Sequence, residues 1–396
     1  MKTVYLDAIS HTGGTNIGPG CRTLLRVPHK YTCKSNLRVV GIAFQVRSNP
    51  DNTPVKDQLK WANRGGFISC ISEIRLRSSN GEEIDSVRYV PQLFDQVKGV
   101  IGSNSYHRDF LTVQTGSQVG YKLNEATGLL TPANNFDSAL IDQQEYTLDL
   151  LNMFDYLRKV QFVETGLEVE ILWENNPFMD LMGNTDYNLL IPKNPILALD
   201  EVLQEHVSIP KTVVFEQVWS DIVNIAAVSS LVAQVQNVQQ RLKAVEGYYC
   251  TKLALCVYDQ ATNTPLKQLD EVVNFYNNGV LVVSLKGIEE INSATMLRDA
   301  LGGVELNLPR VNYLTDYNSE QALATSQLQD TDTMGSTVTT VAISLNRRLN
   351  EFLLDYKRLC PGIADADAQK ALNVYIFYWV AREATHEENG ITTRYL

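Results

Sequence analysis

The chain has 396 residues, of which 44% are hydrophobic and 20% charged, a balance that supports buried cores and excludes general disorder. Its length exceeds what one core commonly holds and suits two domains of about 200 residues each. The formal net charge of -11 repels a phosphate backbone at long range, so no specific nucleic acid is expected as a partner.

The six cysteines, Cys21, Cys33, Cys70, Cys250, Cys256 and Cys360, form no CxxC and do not cluster with the five histidines. Neither a zinc site nor a disulfide framework is indicated, and no cofactor is expected. The start Met1-Lys2-Thr3-Val4 lacks the apolar core of a signal peptide, and no apolar run approaches bilayer-spanning length. Folding in a reducing cytoplasm with buried free thiols is the expectation.

In chain order, the run 36–47 predicts a core strand with Val40, Ile42, Phe44 and Val46 on one side and the smaller Gly41 and Ala43 opposite. A polar stretch follows, then a second strand over 67–77 that ends at the turn signal Asn80-Gly81. Extended residues resume at 83–87. The spacing Val90, Leu93, Phe94, Val97, Val100, Ile101 predicts an amphipathic helix over 90–101, with Pro91 tolerated in its first turn. Residues 103–144, rich in Asn, Gly, Ser and Thr, read as a surface loop system with short extended pieces. A strand is expected at 146–151. At 167–173, Leu167, Val169, Ile171 and Trp173 alternate with Glu168, Glu170 and Leu172, which predicts one apolar face and one acidic, wet face. Asn175-Asn176-Pro177 and the stretch to 186 then mark a boundary, giving expected domains 1–180 and 181–396.

In the second half, Pro192 and Pro195 permit edge or loop geometry but argue against a central strand. Strands are expected at 212–219, 248–258, 280–285, 337–345 and 373–381, the third preceded by the turn chemistry of Asn277-Asn278-Gly279. Val228, Leu231, Val235, Val238, Leu242 and Val245 recur at heptad-like spacing and predict a helix over 229–245, packed on its own domain or, alternatively, forming a dimer seam. A further helix is expected over 294–301. Many strands, few short helices and long loops in each half predict a mainly β chain of two sandwiches.

Motifs that could carry chemistry each fail at a named position. The run from His11 to Gly20 has Pro19 and Gly20 where a phosphate-binding loop needs Lys and Ser or Thr, and it reads as a flexible arm or turn. His386-Glu387-Glu388 is followed by Gly390 where a zinc-binding helix needs a second histidine. No GxSxG occurs. Glu168 and Glu170 share one strand face, as the carboxylates of a glycosidase would, but the expected reading is a solvated sheet face. Phe178, Met179 and Met182 could form a small contact patch, and more commonly such residues are satellite core. The basic pairs Arg241, Lys243 and Arg347, Arg348 read as solvated surface. No catalytic, cofactor-binding or metal-ligating residue is nominated.

The ordered segments 67–97 (FISCISEIRLRSSNGEEIDSVRYVPQLFDQV), 146–174 (YTLDLLNMFDYLRKVQFVETGLEVEILWE), 186–202 (DYNLLIPKNPILALDEV) and 240–263 (QRLKAVEGYYCTKLALCVYDQATN) together resemble the double jelly-roll major capsid proteins. That lineage includes tectivirus-like phages, adenovirus hexons, virophages and polinton-like viruses. The helix over 229–245 departs from the pattern. The resemblance implies two jelly rolls side by side and a non-enzymatic subunit whose homotrimers have a pseudo-hexagonal footprint and tile an icosahedral virion shell. It also implies neighbouring capsomers, penton and minor capsid proteins as partners, an internal lipid membrane as in many members, and synthesis in the host cytoplasm. Loops 103–144 and 313–334 would then make tower or inter-subunit contacts. Two other readings stand beside it: a minor capsid or vertex protein, and a carbohydrate-binding spike, for which the 18 tyrosines would have to form a groove.

Overall fold

A computed structural model describes residues 2–12, 21–48, 53–54, 60–61, 66–94, 121–124, 129–132, 145–164, 166–174, 179–180, 187–203, 207–228, 234–261, 271–286, 341–360, 370–387 and 390–396. The first set of strands is β1 (Lys2–Asp7), β2 (Ser10–His11), β3 (Arg22–Val27), β4 (Cys33–Lys34), β5 (Arg38–Ala43), β6 (Gln45–Ser48), β7 (Lys60–Trp61), β8 (Ile71–Ser78), β9 (Glu83–Arg88), β10 (Tyr121–Asn124), β11 (Leu129–Pro132), β12 (Glu145–Asp149), β13 (Phe162–Val163), β14 (Leu167–Trp173), β15 (Met179–Asp180), β16 (Tyr187–Leu190) and β17 (Ile196–Glu201). The second is β18 (Thr212–Ile225), β19 (Gln234–Arg241), β20 (Tyr249–Asp259), β21 (Glu271–Asn277), β22 (Val280–Lys286), β23 (Val341–Arg348), β24 (Leu353–Cys360), β25 (Leu372–Glu387) and β26 (Gly390–Tyr395). Three short helices are α1 (Val90–Gln92), α2 (Leu150–Met153) and α3 (Asp155–Lys159).

The first unit is a sandwich. One sheet runs β12-β5-β17-β4-β13, with β1 also paired to β17, and the other runs β2-β3-β14-β8-β9. Val39, Ile42, Leu197 and Leu199 of the first sheet and Leu25, Val27, Ile74, Leu76, Val169 and Ile171 of the second are buried between them. Around Phe44 the rings of Phe67, Tyr146 and Trp173 pack at centroid distances of 5.5–6.4 Å, the tilted and edge-on geometry that aromatic quadrupoles favour. The second unit pairs β18-β25-β20-β23 in one sheet and β19-β24-β21-β22 in the other.

Several expectations change here. Val40 does not share a face with Ile42: Tyr146 stands opposite Ile42 and Leu148 opposite Val39, so Val40 and Gly41 together oppose Thr147. Gly41, at φ 70, supplies the left-handed conformation of this β-bulge, and the buried parity switches from Leu37 and Val39 to Ile42, Phe44 and Val46. The first residues of the expected strand 67–77 form a buried 3-10 helix, Gly66–Cys70, ahead of β8. The strand expected over 146–151 gives way at Leu150 to α2, whose first turn is capped by Asp149 accepting from the Leu151 amide at 3.0 Å. Of the helix expected over 90–101, α1 with Pro91 in its first turn is observed and residues 95–101 lie outside the described residues.

The helix expected over 229–245 is a strand. Residues 234–241 form β19, paired residue by residue with β24 from Gln234 opposite Cys360 to Arg241 opposite Leu353. The heptad-like spacing misleads because Leu242 and Val245 are buried in the turn after the strand, while Val235 is 65% exposed. Pairing satisfies the backbone of a Gln-rich segment that has no continuous helical apolar face.

Strand pairing runs on past the boundary expected at 180/181. β16 pairs with β6, and β17 lies between β5 and β1 at the centre of a sheet, so hydrogen bonding carries the first unit to Glu201. Pro192 and Pro195 sit in the link before β17 and leave its amide ladder intact. The turn signals are as expected: Gly81, in the four-residue connection from β8 to β9, has φ 89, and Asn278 and Gly279, with φ 50 and 73, form the two-residue turn joining β21 to β22. The helix expected over 294–301 and the loop over 313–334 lie outside the described residues, as do Phe178, Met182 and nearly all of 103–144, of which the β10–β11 hairpin is described.

Candidate functional site

The paired acids come first among the sequence-derived candidates. β14 sits between β3 and β8, so Glu168 faces Arg26 on one side and Arg77 on the other, and Glu170 faces Leu24 and Arg75. Glu170 is buried and lies within ion-pair distance of Arg77 (3.0 Å), Arg75 (3.4 Å) and Arg22 (3.6 Å), while Glu168 pairs with Arg26. The face expected to be acidic and wet is a cross-strand ladder of arginines and glutamates. Its neighbour Glu73 accepts from Arg75 and Arg88; burial alone would raise that carboxyl, but these hydrogen bonds outweigh burial and hold it below the usual range. The carboxylates of Glu168 and Glu170 are thus engaged in cross-strand ion pairs with arginines.

His386, from the HEE run, is in a strand rather than a helix. Its Nε2 meets the Tyr156 hydroxyl at 2.7 Å and its Nδ1 the Pro210 carbonyl at 2.7 Å. His11 is spent similarly, on Thr23 Oγ1 (2.7 Å) and the Ile191 carbonyl (3.2 Å); residues 13–20 of its glycine-rich run lie outside the described residues. Arg241 pairs with Glu246, and Arg347 donates to the Leu345 carbonyl. Cys21, Cys33, Cys70, Cys250 and Cys256 are buried. Burial, with Asp200 adding, pushes the Cys33 thiol up to about 12; burial likewise pushes Cys250 to about 12 and raises Cys70 well above its ordinary value. Among the described residues no three His, Cys, Asp or Glu side chains group as metal ligands.

What the fold does build is a seam between its two units. β20 from Leu253 to Tyr258 and β25 from Val374 to Ala381 are apolar at every position because both of their faces are covered there. Leu253, Leu255, Val257, Val374, Ile376 and Tyr378 point into the core of the second sandwich. Ala254, Cys256, Tyr258, Tyr375 and Phe377 point the other way, into one core shared with the first unit. At one end of the seam α3 packs on β18: Tyr156 meets Phe215 edge-on at 5.5 Å, and Asp155 accepts from the Glu216 amide at 2.9 Å, covering a backbone donor on the outer edge of β18. Mid-seam, Tyr89 packs edge-on against Tyr375 at 5.4 Å.

At the α3 end, opposite Phe215 in the β18–β25 ladder, lies Arg382, whose side chain is only 7% exposed. It donates to the Ile84 carbonyl of the first unit at 2.8 Å, to Gln217 Oε1 at 3.0 Å and to Thr393 Oγ1 at 2.5 Å. Its guanidinium covers the Tyr395 ring at 4.7 Å. Gln217 Oε1 also accepts from Trp219 and Tyr395, and Gln217 Nε2 donates to Ser86 of the first unit at 3.0 Å. Sequence reasoning passed over Arg382 and Gln217. The only available signal was a lone arginine inside the apolar run 372–384, which has to find partners once buried.

No family model and no curated protein sequence matches the chain. Its fold, however, is shared with solved virus structures. A chain of the Sputnik virophage, solved by cryo-EM, matches with a TM-score of 0.59 at 12% identity, covering 100% of this chain and 88% of that one. The mavirus major capsid protein matches with a TM-score of 0.57 at 10% identity, covering 99% and 90%. The chain has the fold of viral major capsid proteins. The Faustovirus major capsid protein shares it too, with a TM-score of 0.50 at 7% identity over 98% of this chain and 90% of that one. The matches span nearly the whole of this chain, both units included. The double jelly roll expected from the ordered segments is the fold observed.

Proposed function

We propose that the chain is a major capsid subunit whose homotrimers, pseudo-hexagonal in outline because each subunit contributes two similar sandwiches, tile an icosahedral virion shell. The observation that carries this reading is the seam: a sheet buried on both faces joins the two sandwiches through one continuous core. A rigid two-sandwich block is what a tile needs and what a single-site enzyme does not. The likeness to mavirus and Faustovirus capsid proteins over nearly the full chain supports it. We take the first domain to run to Glu201 and the second to begin near Thr212. Neighbouring capsomers, penton and minor capsid proteins are the proposed partners, with a lipid membrane inside the shell, the virion as the final location and the host cytoplasm as the site of synthesis. No catalytic role is proposed.

Negative-stain imaging of the purified protein tests this directly. Trimers with a pseudo-hexagonal outline are expected. A protein that stays monomeric at every concentration tried, with no ordered oligomer in the images, overturns the reading.

A further inference from the structure

Gly390 and Ile391, which open β26, press on the turn between β8 and β9 of the first unit. Gly390, at φ 142, has no room for a side chain: a Cβ there would lie 2.8 Å from Ser78 Oγ and 2.9 Å from Asn80 Nδ2. The next residue, Ile391, is fully buried, and both of its backbone groups are taken by side chains of that turn. Its amide donates to Ser78 Oγ at 2.9 Å and its carbonyl accepts from Asn80 Nδ2 at 3.2 Å. Two positions on, Thr393 Oγ1 donates to Glu82 at 2.7 Å while accepting from Arg382.

The receiving turn is shaped before it is gripped. Gly81 donates to the Ser78 carbonyl at 2.9 Å, the Ser78 amide donates to the Glu82 carbonyl at 2.8 Å, and the Glu82 amide donates to Asn80 Oδ1 at 3.0 Å. Ser79 is tied to the Gly166 carbonyl at 3.0 Å. Ser78 Oγ and the Asn80 amide are therefore held in place by the first unit alone and offered to the second.

We propose that this contact is a clasp that sets the angle between the two sandwiches. The shared apolar core holds the units together but is non-directional, and apolar faces can slide or tilt at small cost. Directional bonds at this end of the seam, where α3 also packs on β18, together with the hydrogen bond from Gln92 Nε2 to the Tyr375 hydroxyl further along β25, fix the tilt. The clasp reads backbone at Ile391 and requires glycine at 390. Its consequence for shell geometry rests on the capsid reading; the clasp itself does not.

The test uses the full chain with two near-isosteric variants, Ser78→Ala and Asn80→Asp. The first removes the acceptor for the Ile391 amide. The second removes the donor to the Ile391 carbonyl yet keeps Oδ1 for the Glu82 amide, leaving the turn intact. Spin labels at Tyr5→Cys and Val235→Cys, two exposed positions on the two units, report the distance distribution between them. Native-state hydrogen exchange reads the clasp locally. Exchange of the Ile391 amide is expected to rise about fivefold for each hydrogen bond removed, and the interunit distance distribution to broaden. An unchanged distribution overturns the proposal, and so does exchange at Gly81 rising as much as at Ile391, because then the turn has melted. Trimer formation is not a readout, so a protein that fails to assemble sinks the capsid reading and leaves the clasp to be decided by these two measurements.

Discussion

Replacing Arg382 with methionine keeps most of the apolar stem and removes the charge. Three hydrogen bonds from the guanidinium are lost, at 2.5–3.0 Å, together with its stacking on Tyr395. Gln217 Oε1 retains Trp219 and Tyr395 as donors, whereas Ile84 loses a carbonyl partner inside the seam. Charge-assisted bonds contribute about 1.5–3 kcal/mol each and an orphaned buried carbonyl costs about 1–3 kcal/mol. Against this, the variant no longer desolvates a guanidinium, which returns several kcal/mol. The expected net loss is about 3 kcal/mol, a factor of about 150 in the folded-to-unfolded ratio. Urea unfolding followed through the fluorescence of Trp219, whose indole donates to Gln217 at 3.1 Å, reads the seam directly. Arg382→Lys should lose nearly as much, because one ammonium on a flexible stem cannot span Ile84, Gln217 and Thr393 as a planar fork does. A methionine variant within about 0.5 kcal/mol of the parent would refute the idea that the seam depends on this residue.

Gly41→Val should destabilise by about 1–2 kcal/mol in the same assay, from backbone strain alone: φ is 70 and nothing lies within 4 Å of the added Cβ. Asp221→Asn should raise stability at pH 7 and have no effect near pH 3. Burial raises the Asp221 carboxyl, so its favourable contribution is full below the unfolded value and is lost as pH rises through the raised one; equal shifts at both pH values would contradict this. Cys33 and Cys250, held at about 12, should be about one part in ten thousand thiolate at pH 8. Iodoacetamide with mass spectrometry should find both unmodified in the native protein and alkylated in urea, and rapid native labelling of either would contradict their burial. Removing Glu170 as Glu170→Leu should cost about 2–3 kcal/mol, by taking the carboxylate from partly buried Arg77 and leaving Arg75 with Glu73 alone, whereas Arg22→Ala, at a side chain 58% exposed, should cost under about 1 kcal/mol.

Strands with one dry face were legible because side chains alternate with a period of two, as in β14, and hairpins were legible where Asn-Gly supplies positive φ, as at Asn278-Gly279. The misreadings share one cause. A bulge at Gly41 adds a residue and flips parity, and a turn after β19 continues the apolar spacing of a strand into buried Leu242 and Val245, so a period measured across either point belongs to no single element. The strand pairing beyond residue 180 was illegible for a related reason. The polar, Gly-containing stretch before 186 looks like a linker, yet β17, which follows it, is held by β5 and β1, partners far away in sequence that no local pattern announces.

The seam was partly written in the sequence and read for the wrong purpose. A run such as LNVYIFYWVA, apolar at almost every position, signals a strand whose two faces are both covered. A single sandwich has only one inner face per sheet, so a second covered face demands a second body against it. In this chain that body is the first unit, and the arginine that interrupts the run marks where the contact becomes directional. Glu168 and Glu170 drew attention because paired carboxylates suggest chemistry, but their arginines spend them on holding a sheet together. For a protein whose proposed work is to be a tile, the residues that matter are those that fix one body against another, and these are recognised by the partners that burial forces on them rather than by any motif.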